Sequence, residues 1–379
     1  MASREEIWYN RYNEFRDKAF SKLDLYNRRI ATLGASARES QRESSIVLIT
    51  NIVRESNWQE DYYLTFDKTK EFAESVFRSP VNTKDTLLDL NKIIENHHAN
   101  VLSLKRENKS IEEIAAYNLA LAHSSMLWIR GEISARFLAK CLYHMDKLIK
   151  SHDQKEIELT ESQRRIYLEM KSFLDKYQSD RTPLTGPYIV NGLSQYQLME
   201  ALAGEYESPM KVDYLHHFHK AITMGMIDPK KSGRFRKSAV HIPGNLNLLF
   251  PASSAVPGLV QEYCKNFSPI PLKDKVNNIF INAAEMSHRF VRIHPYSDGN
   301  GRLSRLIMNF VLCDYFVPVY LKADKKGRHR YIQALRRADR GNYKPLATLI
   351  AKSMCEVYDT LLDSVGLMQD GTARCPGDS

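Results

Sequence analysis

Along roughly the first 180 residues, apolar side chains return every three or four positions between charged ones, the period of helices with one buried face. Ile114, Tyr117, Leu121 and Trp128 fall near one helical face in a run without Gly or Pro. Farther on, Thr160, Glu161, Ser162 and Gln163 read as a capping box ahead of Ile166, Met170 and Phe173, which share a face. Polar breaks near residues 36–45, 79–84 and 151–155 separate these helices. Residues 179–186, SDRTPLTG, are rich in turn formers and predict a boundary. The pattern divides the chain into an N-terminal helical region at 1–180, a second unit at 181–367 and a polar tail at 368–379.

In the second unit the helical period returns at 212–226 and 258–267. Between them lies the one stretch with strand character, residues 236–250. Two β-permissive pieces flank Pro243, Gly244 and Asn245 there, which predicts a hairpin closed by Pro251 and Pro257. A long helix follows at 273–293, carried by Val276, Phe280, Ala283, Ala284, Phe290 and Ile293. Another is predicted at 302–316, with Leu303, Leu306, Ile307, Phe310 and Val311 on one face. Two apolar faces on either side of so short a loop imply a packed helix pair that presents the loop on a rigid support. The fold class expected is all-α with one β-hairpin.

Composition narrows the setting. Hydrophobic residues are 43% and charged residues 26% of 379, an ordinary globular balance. The five cysteines, Cys141, Cys264, Cys313, Cys355 and Cys375, are scattered and form no CxxC spacing, which argues against disulfide frameworks and Cys-based zinc sites. The expectation is a reducing compartment, hence a cytoplasmic protein, although an exported effector would look the same. No apolar h-region opens the chain, and no apolar run approaches the roughly 20 residues that span a bilayer, so no membrane partner is expected. A net charge of +9 suits an anionic ligand, either nucleic acid or a nucleotide polyphosphate.

The chemically dense segment is Ile293-His-Pro-Tyr-Ser-Asp-Gly-Asn-Gly-Arg-Leu-Ser-Arg305. Gly299, Asn300 and Gly301 tolerate positive φ, so successive backbone N–H groups can face one side as an anion nest. The helix that follows adds the positive end of its dipole. Arg302 and Arg305, three apart, can lie over the same turn and suit bidentate contact with phosphate. Asp298 sits inside this anion site, where a carboxylate makes sense if a magnesium ion bridges it to phosphate oxygens. His294, at the end of the preceding helix and fixed by Pro295, could accept a proton from an attacking hydroxyl. A lone Gly-x-Gly is usually a tight turn, and a lone His at a helix end is usually a cap. One bland cause accounts poorly for all of these within twelve residues.

HPYSDGNGRLSR resembles the signature of the Fic (Fic/Doc) family, His-x-Phe-x-Asp/Glu-Gly-Asn-Gly-Arg-x-x-Arg, departing from it only at Tyr296. That position normally packs into the core, so a tyrosine fits if its hydroxyl finds a partner. The stretch 225–236, the hairpin and the prolines at 251 and 257 are similar to the family's flap region. Residues 331–335 and 340–345 resemble its segment beside the nucleotide. The likeness spans about residues 185–365.

The resemblance implies a Fic-type helical bundle with a hairpin flap, and a protein adenylyltransferase that moves AMP from ATP onto a Tyr, Thr or Ser hydroxyl. It implies His294 as general base and Asp298 as the magnesium ligand. Gly299, Asn300 and Gly301 would form the phosphate cradle, Arg302 and Arg305 would hold the polyphosphate, and Tyr331 would flank the adenosine. The target protein would dock on the flap between Val240 and Pro243 as an added strand. Relatives with the same loop transfer phosphate or phosphocholine, or remove AMP, and those remain alternatives. Many members are held inactive by a glutamate in Ser/Thr-x-x-x-Glu-Gly/Asn that pairs with the second arginine. Ser103 to Asn108 is a literal match, which makes Glu107 a candidate, against the reading of a solvated helix.

One further class stays open. Lys325, Lys326, Arg328, Arg330, Arg336, Arg337 and Arg340 form a dense basic run that could bind nucleic acid. No DNA-reading motif accompanies it, so an exposed helix face is favoured. A homo-oligomer is compatible with everything above.

Overall fold

The computed structural model of the chain describes residues 4–33, 37–78, 90–154, most of 160–175, 210–241, 249–267, 272–313 and 315–366. The N-terminal part supplies α1 (Arg4–Leu33), α2 (Ala37–Trp58), α3 (Phe66–Arg78), α4 (Leu90–Arg106) and α5 (Ile111–Asp153). The second part supplies α6 (Val212–Thr223), α7 (Val256–Lys265), α8 (Leu272–Ile293), α9 (Asn300–Leu312), α10 (Lys325–Ala338) and α11 (Lys344–Gly366). No strand is present among the described residues. The capping box at Thr160 is only partly described, and the boundary at 179–186, the hairpin turn at 243–245 and the tail lie outside the described residues.

The helices expected at 212–226, 258–267, 273–293 and 302–316 are α6 to α9, with ends moved by about a turn. Helix α5 buries more than the one face its sequence marks. The face of α5 carrying Ile114, Tyr117, Leu121 and Trp128 is not its deepest one, because Leu119, Ala122, Met126 and Ile129 are essentially without exposure. The helix is buried nearly all round at this level, since α2 and α3 cover one side while α6 and α9 cover another. Its start is fixed by a reciprocal cap: Ser110 Oγ accepts from the Glu113 N–H at 3.2 Å, and Glu113 returns an acceptor to the Ser110 N–H at 2.8 Å.

A single apolar cluster runs from Tyr12 to Leu362, so both parts of the chain share one core. Helix α1 lies along α11, with Tyr26 edge-on to Tyr358 and Lys22 paired with Asp359. Phe20 packs on Phe316 just beyond α9. Helices α8 and α9 pack against each other, and Ser304 Oγ donates to the Ser287 carbonyl at 2.9 Å across their contact. The tip of that pair is the loop 294–299, and α2 arrives beside it from the N-terminal part. Among the described residues no helix is long and apolar enough to cross a membrane.

Candidate active site

His294 ends α8 with φ near +50°, a left-handed value uncommon for a side chain of this size. Three bonds hold the turn. The His294 N–H donates to the Phe290 carbonyl at 3.1 Å, the Arg236 Nε donates to the His294 carbonyl at 2.7 Å, and the Arg236 N–H donates to the Pro295 carbonyl at 2.9 Å. His294 Nδ1 lies 3.1 Å from the Val291 carbonyl. A carbonyl only accepts, so Nδ1 carries the proton and Nε2 keeps its lone pair. Burial pushes the pKa of this half-buried ring below the ordinary histidine value, and the Arg236 charge adds to that, against the bond to Val291. The imidazole is therefore neutral near pH 7, the form a general base needs. Phe250 covers one face of it, with centroids 4.1 Å apart.

The rest of the loop is anchored from behind. Tyr296 is fully buried, and its hydroxyl meets His216 Nδ1 at 3.1 Å, the partner its departure from Phe requires. Asn300 brackets the Tyr296 backbone: Oδ1 accepts from its N–H at 3.1 Å, and Nδ2 donates to its carbonyl at 2.9 Å. The Asn300 side chain thus holds the loop together. Gly299 takes φ +76° and opens α9 with no side chain capping the helix. The first-turn N–H groups of α9 therefore stand without a side-chain acceptor beside the exposed Asp298, whose Oδ1 accepts the Gly299 N–H at 2.5 Å.

The two arginines take different partners. Arg302 is 1% exposed, with Nη1 donating to the Ile222 carbonyl at 3.3 Å, the Tyr62 ring 5.3 Å from its guanidinium, and Nε without a partner. Arg305 reaches α2 and the turn after it: Nε donates to Ser56 Oγ at 2.8 Å, and Nη2 donates to the Ser56 carbonyl and to Glu60 Oε1, both at 2.7 Å. The same carboxylate lies so close to the start of α9 that a Cβ on Gly301 would stand 2.2 Å from Glu60 Oε1. A carboxylate of this chain thus stands on Arg305 and beside the start of α9, without accepting a bond from its N–H groups.

This corrects the candidate glutamate. Glu107 is exposed and accepts only a local bond, 3.2 Å from Ser103 Oγ, while Arg305 is paired with Glu60. Ser56-Asn-Trp-Gln-Glu60-Asp61 is the same pattern with Asp at the last position. Asp61 takes φ +63°, a value Asp tolerates nearly as Asn and Gly do, and its carboxylate grips Arg328 of α10 at 2.5 and 3.1 Å. Its pKa is held below the usual carboxylate range, chiefly by that arginine. Reading the last position as Gly, Asn or Asp would have found it.

Tyr331 is buried, its hydroxyl against Arg305 and Ser304. Beyond Ile293, on the side of α8 facing α7 and α10, opens a cavity of about 360 Å³ lined by Leu259, Tyr263, His288, Arg292, Asp339 and Tyr343 among others. His288 Nε2 donates to Asp339 Oδ1 at 2.9 Å, and Arg292 Nε approaches the same oxygen at 3.4 Å. Gly341 and Tyr343, from the segment expected beside a nucleotide, line this cavity.

Among the described residues no group of three or more His, Cys, Asp or Glu could hold a metal ion by itself. The donor set suits magnesium only if shared: Asp298 offers one hard oxygen ligand, and phosphate oxygens and waters must supply the others. Residues that the sequence reading left without a role are Glu60, Ser56, Tyr62, His216, His219 and Arg236.

Residues 209–312 match the model of the Fic/DOC family. A protein named protein adenylyltransferase Fic from Aedes aegypti is 33% identical over 143 residues, covering 37% of this chain and 27% of that protein. Its namesake from Culex quinquefasciatus is 31% identical over 156 residues, 39% of this chain and 28% of that one. The matched stretch thus spans little more than a quarter of the length of these relatives. Among solved structures, a Fic domain containing signaling protein from Bacteroides thetaiotaomicron superposes with a TM-score of 0.50 at 12% identity, over 93% of this chain and all of that one. That likeness concerns the fold alone.

Proposed function

We propose, from the premise that residues 209–312 form a Fic/DOC domain, that this chain is a protein adenylyltransferase transferring AMP from ATP to a hydroxyl of a target protein. The observation that carries the reading is the occupied anion position. Arg305 already holds a carboxylate, Glu60, beside the uncapped start of α9 and within one loop of a neutral imidazole whose Nε2 is available. The names of the relatives support the same reaction class.

In this reading the target hydroxyl gives its proton to His294 Nε2 as its oxygen attacks the α-phosphorus. The bond from that phosphorus to the bridging oxygen breaks, and pyrophosphate leaves. The backbone N–H groups of Gly301 and Arg302 and the guanidinium of Arg305 hold the polyphosphate, once Glu60 has moved aside. Asp298 would hold magnesium, which when bound would neutralise charge between the phosphates. The 360 Å³ cavity beyond Ile293 is large enough for the nucleoside, with the Asp339 carboxylate as an acceptor for a base amino group. The target backbone runs along the flap between Val240 and Pro243, whose base is fixed by Arg236 bonds to the Ser238 and Pro251 carbonyls at 3.0 and 2.6 Å. Cys264, Cys313 and Cys355 are buried and form no disulfide among the described residues, which suits a cytoplasmic setting.

The test uses labelled ATP, magnesium and a cell lysate, in a Glu60→Gly background so that the anion site is open. A labelled band should appear and fall by about 10²-fold or more in Glu60→Gly/His294→Ala, while ATP binding persists. Equal labelling in both proteins would overturn the role of His294. CDP-choline and other nucleoside triphosphates, tried in parallel with intact-mass analysis, separate adenylylation from the related transfers.

A further inference from the structure

His219, on α6, lies 79 residues before the loop it touches and is fully buried. Its ring stacks face to face on Tyr296, with centroids 3.8 Å apart and planes 10° apart. The Gly233 N–H points at Nδ1 from 2.8 Å, and Nε2 lies 2.9 Å from the Asp298 carbonyl oxygen. A backbone N–H can only donate, so Nδ1 is the acceptor and the ring proton sits on Nε2, donating to Asp298. Both nitrogens have one fixed role.

The consequence lies in the next peptide. In a trans peptide the C=O and the N–H point in opposite directions. A carbonyl of Asp298 held back against His219 therefore turns the Gly299 N–H forward, to the side where the Asp298 carboxylate accepts it. Glycine tolerates either orientation of this plane, so residue 299 cannot enforce the choice by itself. The reversed plane would aim a carbonyl oxygen at an incoming phosphate. We propose that His219 is a positioning residue for the anion loop, locking the Asp298–Gly299 peptide so that its N–H faces the phosphates.

This inference rests on the adenylyltransferase reading of the same loop, and it accounts for more than one contact. Thr223, one turn on from His219, donates to the His219 carbonyl at 2.7 Å, and its methyl would lie 2.9 Å from a Cβ on Gly299. That wall is what keeps residue 299 a glycine. The Gly233 that fixes the His219 tautomer lies three residues before Arg236, which holds the His294 carbonyl. One segment, 233–236, thus sets the register of the proton acceptor at one end of the loop and of the anion donor at the other.

The experiment compares three proteins in the Glu60→Gly background: His219 retained, His219→Phe and His219→Gln. Phenylalanine keeps a ring on Tyr296 and removes both hydrogen bonds. Glutamine loses the ring but places an amide N–H where Nε2 was. Titration calorimetry reads the Kd for ATP with magnesium and for inorganic pyrophosphate, alongside the melting temperature. The Phe variant should lose about tenfold or more for both ligands, and the Gln variant should stay within about threefold of the parent even if it melts lower. A merely structural role predicts that affinity follows melting temperature instead. A Phe variant that binds both ligands like the parent overturns the inference. So does a folded Gln variant that loses tenfold, an outcome readable even if the Phe variant fails to fold. A parent that binds neither ATP nor pyrophosphate would refute the functional reading, and this inference with it.

Discussion

Removing Glu60 should strengthen ATP binding by an amount the geometry sets. Glu60 Oε1 is 2.7 Å from Arg305 Nη2, with the side chains 35% and 7% exposed. A hydrogen bond between charged groups contributes about 1.5–3 kcal/mol, and the wet third of Glu60 argues for the lower half, about 1.5–2 kcal/mol. ATP must displace that contact, and each 1.4 kcal/mol is a factor of ten, so Glu60→Gly should bind ATP about 10–30-fold more tightly. Glu60→Gln keeps the shape without the charge and should gain only part of this. Stability should fall by up to the same amount, since the contact is lost from the unliganded fold, while Arg305 keeps both bonds to Ser56. Calorimetric titration with ATP and magnesium gives the affinity, and labelled ATP gives self-modification, which should rise in step. Glu107→Gly serves as the control and should leave both unchanged. An unchanged affinity in Glu60→Gly would refute the reasoning, and a gain in Glu107→Gly would show that the wrong carboxylate had been chosen.

Other outcomes follow from the same contacts. Tyr296→Phe loses the bond to His216, worth about 1 kcal/mol, so melting should fall by about 2 °C and labelling should persist. A loss of labelling would give that hydroxyl a chemical role. Four buried histidines are held far below the unfolded value of 6.5: His97 and His217 at about 4, His123 and His219 at about 3. Below about pH 6.5 the unfolded chain binds protons that the folded one refuses, so the stability these rings contribute is whole above that pH and declines as pH falls. The slope is at most about 1.4 kcal/mol per pH unit for each ring. Urea unfolding at pH 7.5 and pH 5 should show a clearly lower midpoint in acid, and coincident midpoints would contradict the burial of these rings.

The candidate site at residues 294–305 was legible in the sequence because its polar residues are neighbours in the chain. Helices α8 and α9 were legible because each keeps one apolar face. On α5 the same method found only one of several buried faces, since a helix covered on several sides has little periodicity to read. The supports of the loop were hidden for a different reason. Arg236 meets the His294 carbonyl across 58 positions and His219 meets Asp298 across 79, and no local pattern marks either side chain as a partner. The glutamate shows how a short motif misleads. Ser103 to Asn108 satisfies it literally, Ser56 to Asp61 does so only if Asp is allowed at the end, and tertiary placement beside Arg305 decides between them.

The contact between Glu60 and Arg305 joins positions 245 apart, and its acidic member is the earlier of the two. Ribosomes deliver α2 long before the residues that build the phosphate site, at about 5–20 residues per second. For the ten seconds or more that separate them, the occluding carboxylate waits for a site not yet made. The nascent polypeptide therefore carries the acidic member of this contact before the residues that build the loop beside it are made.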